Sequence, residues 1–131
     1  MTSADNPIRI RIKEEGSLRF PPGELIEGLV EIFPETMMRC RAVDISVLWY
    51  TEGKGRRDEG IVQSWHYDVE QIGPGQSFSE GFSATLPSAP WSYAGHFINI
   101  VWVIHVKIDI PMSADMNREA RFLVLPMDLP V

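Results

Sequence analysis

The chain has 131 residues and 14.9 kDa, which suits one domain with a hydrophobic core of its own. Its 44% hydrophobic and 23% charged residues exclude a disordered, collagen-like or disulfide-scaffold chain, and a single cysteine, Cys40, excludes an internal disulfide. The formal charge of −6 lacks the basic excess that neutralises phosphates, so neither nucleic acid nor an anionic membrane surface is expected as partner.

Residues 1–7 show no basic start followed by an apolar run, and they read as a flexible N-terminus without a secretory leader. No apolar stretch approaches the roughly 20 residues of a spanning helix, and the cytoplasm is the default location. From Ile8 the dominant period is two, the mark of half-buried strands. Ile8, Ile10 and Ile12 alternate with Arg9, Arg11 and Lys13, which puts the isoleucines inward and a basic row outward. Glu14 to Ser17 and Pro21-Pro22-Gly23-Glu24 are turn signals, because proline presets φ and glycine accepts φ > 0. Ile26, Val30 and Ile32 share one face of the next strand, opposite Glu27 and Glu31. Gly28, in mid-strand, marks a bulge or a close approach of neighbouring strands.

After Pro34-Glu35-Thr36, Met37 to Arg41 reads as a bridging segment. Val43, Ile45, Val47 and Trp49 then alternate against Asp44, Ser46 and Leu48. Glu52 to Gly60, rich in glycine and charge, reads as an exposed hairpin tip. A strand over Ile61 to Ile72 places Trp65, Tyr67 and Val69 on one face, with Ser64, His66, Asp68 and Glu70 on the other. Gly73-Pro74-Gly75 turns the chain into Phe78, Phe82, Ala84 and Leu86, and Pro87 to Pro90 ends that strand. The longest alternation follows, through Ile98, Ile100, Trp102, Ile104, Val106, Ile108 and Ile110. Val101 and Val103 are apolar as well, so this strand is expected to be central or covered on part of its second face. A loop from Pro111 leads to a last strand with Ala120, Phe122 and Val124.

Seven or eight strands with turn signals every 8–12 residues or so, and no amphipathic helix, make an all-β antiparallel sandwich. The expected organisation is a flexible segment over 1–7, one sandwich over 8–125 and a tail over 126–131.

The residues carry little chemistry. His66, His96 and His105 follow no metal-ligand spacing. If the strands of His66 and His105 pair, then His66, Asp68, His105, Lys107 and Asp109 share an outer face able to bind a metal or an anion, or to serve an enzyme through His66, Asp68 and His105. Arg39 and Arg41 flank Cys40 and would lower its pKa if the thiol were exposed, yet no nucleophile signature surrounds it. No catalytic residue, cofactor or metal is therefore assigned. The basic row Arg9, Arg11 and Lys13 is a candidate grip for an acidic or phosphorylated peptide, against the plainer reading of a charged strand that resists aggregation. Trp65, Tyr67 and Trp102 have core parity, whereas Trp91 and Tyr93 lie in a Pro-rich loop and are better candidates for an exposed recognition surface.

The order of motifs resembles arrestin-like domains. Phe20-Pro21-Pro22-Gly23-Glu24 with Ile26 to Val30 resembles their "PGE…G.V" opening. Phe82 to Gly95 resembles their "F.F.LP…P.S(F/Y).G" segment, and Ile98 to Val106 resembles the strand after it. The resemblance runs from about Ile8 to about Leu125. It implies an immunoglobulin-like (arrestin-type) sandwich that works as a non-catalytic adaptor for a protein partner. Members of the family usually carry two such sandwiches, and a homodimer through edge strands would replace the second. Arg9, Arg11, Lys13, Trp91 and Tyr93 are the expected partner-binding residues. The alternative is a module for a small ligand such as a carbohydrate, using Trp91 and Tyr93.

Overall fold

The computed structural model describes residues 6–14 and 16–126, so the expected 1–7 segment and 126–131 tail lie largely outside the described residues. The chain is all-β. Seven strands have five or more residues: β1 (Ile8–Ile12), β3 (Leu25–Ile32), β5 (Ala42–Gly53), β6 (Glu59–Asp68), β8 (Phe78–Thr85), β10 (Ile98–Asp109) and β11 (Met116–Val124). Four two-residue strands lie between them: β2 (Arg19–Phe20), β4 (Met38–Arg39), β7 (Gln71–Ile72) and β9 (Tyr93–Ala94).

A three-stranded sheet, β1-β3-β8, faces a larger one in the order β2-β11-β10-β5-β6, and β4 and β7 form a small ribbon. Each alternation in the sequence becomes one inward face. Ile8, Ile26, Val30, Ile32, Phe78, Phe82 and Ala84 line the smaller sheet. They meet Val43, Ile45 and Val47 of β5, Trp102, Ile104, Val106 and Ile108 of β10, and Phe122 and Val124 of β11. Trp102 is fully buried, and its indole N–H donates to the Pro90 carbonyl at 3.0 Å. This burial is the main stabilising term, at about 1.5–3 kcal/mol for each large apolar side chain. On the side where β6 and β8 form the sheet edges, Trp65 rests on Phe82 and Tyr67 on Phe78, with ring centroids 6.3 and 5.4 Å apart.

Gly28 marks a close approach. It pairs with Ile12 on one side and Phe82 on the other with no break in register, and a Cβ there would run into the Arg11 carbonyl oxygen and the Phe82 ring. The bulge lies instead in β5 and β6, between Val47 and Leu48. It leaves Val62 of β6 without a partner, while Leu48 keeps the face opposite Val47 that its alternation gives it and is buried there. There Leu48, Tyr50, Val101 and Val103 form a second, smaller apolar cluster, and this accounts for the two extra valines of β10. The strand expected over Ile61–Ile72 stops at Asp68, and Gln71–Ile72 pairs with Met38–Arg39 instead. The expected tip over Glu52–Gly60 is shorter than its composition suggests. β5 runs to Gly53 and β6 starts at Glu59, with Thr51 and Asp58 exchanging two bonds of 2.9 Å across the hairpin.

Candidate functional site

β10 is held by β5 along its whole length, from Ile98↔Gly53 to Asp109↔Ala42. Its other edge is shared. β11 occupies it from Ile108 to Trp102, where Trp102 pairs with Phe122. Beyond that point β11 swings away and pairs in parallel with β2, Leu123 with Arg19 and Val124 with Phe20. The vacated edge goes to β9, whose Ala94 and Tyr93 pair with Asn99 and Ile100. Ser92 locks the wedge: its N–H donates to the Val124 carbonyl and its hydroxyl accepts from the Val124 N–H, both at 2.9 Å.

The split leaves a groove of about 790 Å³. Leu18, Tyr93, Ile100, Val101, Leu123 and Leu125 line it, with Arg19, Glu52, Asn99 and Arg121 among its polar members. Leu18, Tyr93 and Leu123 are exposed along it. Arg19 Nη2 donates to the Pro126 carbonyl at 2.8 Å. Arg121 reaches Glu52 at 3.5 Å and the Tyr50 hydroxyl at 3.4 Å. The Tyr50 hydroxyl donates to Glu119 at 2.7 Å, and burial followed by that carboxylate pushes the phenol pKa up. The Arg57 guanidinium lies 3.9 Å from the centre of the Tyr50 ring. Glu119, Arg121 and Arg57 thus gather around Tyr50, one member of the second apolar cluster.

Of the expected partner-binding residues, Tyr93 lines the groove. Trp91 is exposed just before Ser92, with its indole N–H donating to the Ser88 carbonyl at 3.0 Å. The basic row lies elsewhere, on the outer face of the smaller sheet. Arg11 pairs with Glu31 at 3.2 Å, Lys13 with Glu27 at 3.4 Å, and Arg9 sits over the Phe33 ring at 5.9 Å. Sequence reasoning missed Leu18, Leu123, Glu52 and Arg121. Leu123 did carry a signal, as an apolar residue of the wrong parity between Phe122 and Val124.

The outer histidine face assembles differently from the expectation. β6 and β10 do not pair, because β5 lies between them. His66 is clamped by carboxylates, with Nδ1 2.6 Å from Asp44 and Nε2 3.0 Å from Asp68. The hydrogen bond to Asp44, then that to Asp68, raises its pKa. His105 bonds Asn117 of β11 instead, at 3.0 Å, so His66, Asp68 and His105 do not form one constellation. Among the described residues no group of three or more His, Cys, Asp or Glu is placed to hold a metal ion. His96 stacks edge-on against Phe97 at 4.5 Å. Cys40 is buried, and its thiol donates to the Val69 carbonyl at 3.1 Å. Burial and then Asp109 push its pKa up, so the flanking arginines do not activate it.

Compared with solved structures, the chain superposes on the sporulation control protein Spo0M from Bacillus subtilis, an arrestin-like fold, with a TM-score of 0.62 over 91% of this chain at 19% identity. The fold is arrestin-like. The chain spans about half of the Spo0M structure, 49% of its length. No family model and no curated protein sequence matches the chain. No helix among the described residues is long and apolar enough to cross a membrane.

Proposed function

We propose that this arrestin-like sandwich is a non-catalytic interaction module that binds a protein partner through the groove between β10 and β11. The groove itself carries the reading. It is mostly apolar, open and walled by exposed Leu18, Tyr93 and Leu123, with Arg19, Glu52 and Arg121 as its charged members. An apolar centre with a polar rim is the anatomy of a protein interface, and tyrosine and tryptophan are its usual anchors. Spo0M, which shares the fold, is a sporulation control protein, and that supports a regulatory role over a catalytic one. A cytoplasmic setting fits the single, unpaired Cys40. The row Arg9, Arg11 and Lys13 lies outside the proposed surface, since Glu31 and Glu27 already neutralise two of its charges.

The test is capture of partners by the tagged full chain from lysate of its own source, read by mass spectrometry. Wild type and Arg9→Glu/Arg11→Glu should retain the same partner, and Trp91→Ala/Tyr93→Ala should lose it. Capture that survives the Trp91/Tyr93 change overturns the reading. A second reading rests on the groove's size, which falls within the roughly 300–1,000 Å³ of small-ligand sites. In it Trp91 and Tyr93 stack on a sugar ring. Binding on a glycan array that disappears in Trp91→Ala would favour that reading.

A further inference from the structure

We propose that the occupant of this surface is a second copy of the chain, docked face to face about a two-fold axis. The inference rests on the reading of the groove as an interaction surface and adds the identity of the partner. Its first support is area. Leu18, Tyr93 and Leu123 are exposed in the groove wall, and in sequence exposed Trp91 directly precedes the groove residue Ser92, as exposed Phe97 and Ile98 precede the groove residue Asn99. Trp91, Tyr93 and Phe97 are 44%, 55% and 60% exposed. With roughly 150–250 Å² for a whole aromatic side chain, each shows on the order of 100 Å² to solvent. Adding Leu18, Ile98 and Leu123 brings the exposed apolar area at this end of the molecule to the order of 500 Å², near the top of the range for a patch on a monomer surface. With a polar rim in the usual proportion, it approaches the roughly 800 Å² that each partner contributes to a stable interface.

Charge is the second support. Each copy carries −6, so two copies repel over most of their surfaces. This end is balanced. Arg121 pairs with Glu52 and Glu119, and Arg56 and Arg57 pair with Asp58 and Glu59. Lys54 lies over the Phe97 ring at 5.3 Å, and Arg19 lines the groove. The excess acidity therefore lies elsewhere on the molecule. A rim of mixed sign also suits a two-fold contact, in which each patch meets its own copy and charges of one sign find the other.

The edges at β8 and β6 suit a copy less well. On β8, Glu80 takes the inward parity of Phe78 and Phe82, a charge placed where an edge-to-edge partner would have to bury it. On β6, His66 gathers the carboxylates of Asp44 and Asp68.

Sedimentation velocity of the full chain up to about 100 μM decides the matter. The expected species has twice the 14.9 kDa chain mass. Tyr93→Glu and, separately, Phe97→Glu should weaken association by at least about 30-fold, as loss of a central aromatic anchor does. Both residues are exposed, so the variants should keep the wild-type circular dichroism and melting temperature. Edge variants Gln63→Lys on β6 and Ser79→Lys on β8 should leave the dimer intact. A monomeric wild type overturns the inference. So does a dimer that resists Tyr93→Glu and Phe97→Glu but dissociates in an edge variant. A monomeric wild type that still captures another protein through Tyr93 overturns the second copy alone and leaves the interaction module standing.

Discussion

His66 shows how one side chain turns pH into stability. It sits on the outer face of β6 with a carboxylate on each ring nitrogen, Asp44 from β5 and Asp68 from its own strand. Lys107 of β10 stands opposite Asp44 in register. Only the doubly protonated ring donates to both carboxylates, so the folded protein holds the proton more tightly than the ordinary value of 6.5. A raised folded pKa means that the contribution is fully present below pH 6.5 and is lost as pH rises through the folded value. The His66 ring protons, followed by NMR, should therefore titrate above 6.5, and Asp44→Asn should bring the midpoint back toward it. A midpoint at or below 6.5 would show that the clamp does not hold in solution. The group is exposed, so solvent screening keeps the effect small and local.

At the scale of the strand, Gly28 reports how tightly β1, β3 and β8 are pressed together. Its pairing is regular, yet a Cβ would meet backbone at Arg11 and the ring of buried Phe82, neither of which moves cheaply. Gly28→Ala should cost about 1–3 kcal/mol, read as a lower denaturant midpoint at unchanged slope. Gly81→Ala is the internal control. A Cβ there would meet only the Gly28 carbonyl oxygen, at 3.5 Å, and stability should change by no more than about 0.5 kcal/mol. Equal losses in both variants would assign the effect to lost glycine flexibility rather than to the close approach. Gly28 was legible in the sequence as a mid-strand glycine, and so were the inward faces of the seven long strands, because period-two burial is written residue by residue. The bulge between Val47 and Leu48 was not legible. One extra residue in β6, Val62, shifts that strand's register without changing composition, and the burial of outward-facing Leu48 comes from Tyr50, Val101 and Val103, a second cluster that local alternation does not reveal. Of the groove, only Tyr93 was named from the sequence, with Trp91 near it in the chain, and the odd parity of Leu123 was left unread. The groove arises where β11 leaves β10 for β2 and β9 takes its place, a matter of non-local pairing that no local pattern encodes.

For the whole molecule, the net charge and the balanced groove make opposite demands on association, and ionic strength separates them. A chain of 131 residues has a radius of gyration of about 14 Å, which puts the centres of two docked copies about 35 Å apart. Two charges of −6 at that distance in water repel by about 4 kcal/mol without screening. With a Debye length of about 30 Å at 0.01 M, roughly 1 kcal/mol of this survives, and with about 8 Å at 0.15 M almost none does. An apolar contact through exposed Tyr93, Phe97 and Leu123 would not weaken over that range, because burial of apolar surface is not an interaction between charges. Self-association should therefore tighten, by up to about tenfold, when salt is raised from 0.01 to 0.15 M. An interface held by Arg121, Arg56 and Arg57 reaching carboxylates of the other copy would do the reverse, since exposed ion pairs lose strength with salt. Sedimentation at the two ionic strengths thus reads which part of the surface carries the contact. Dissociation on adding salt would move the energetic centre of the interface from the aromatic groove to its charged rim.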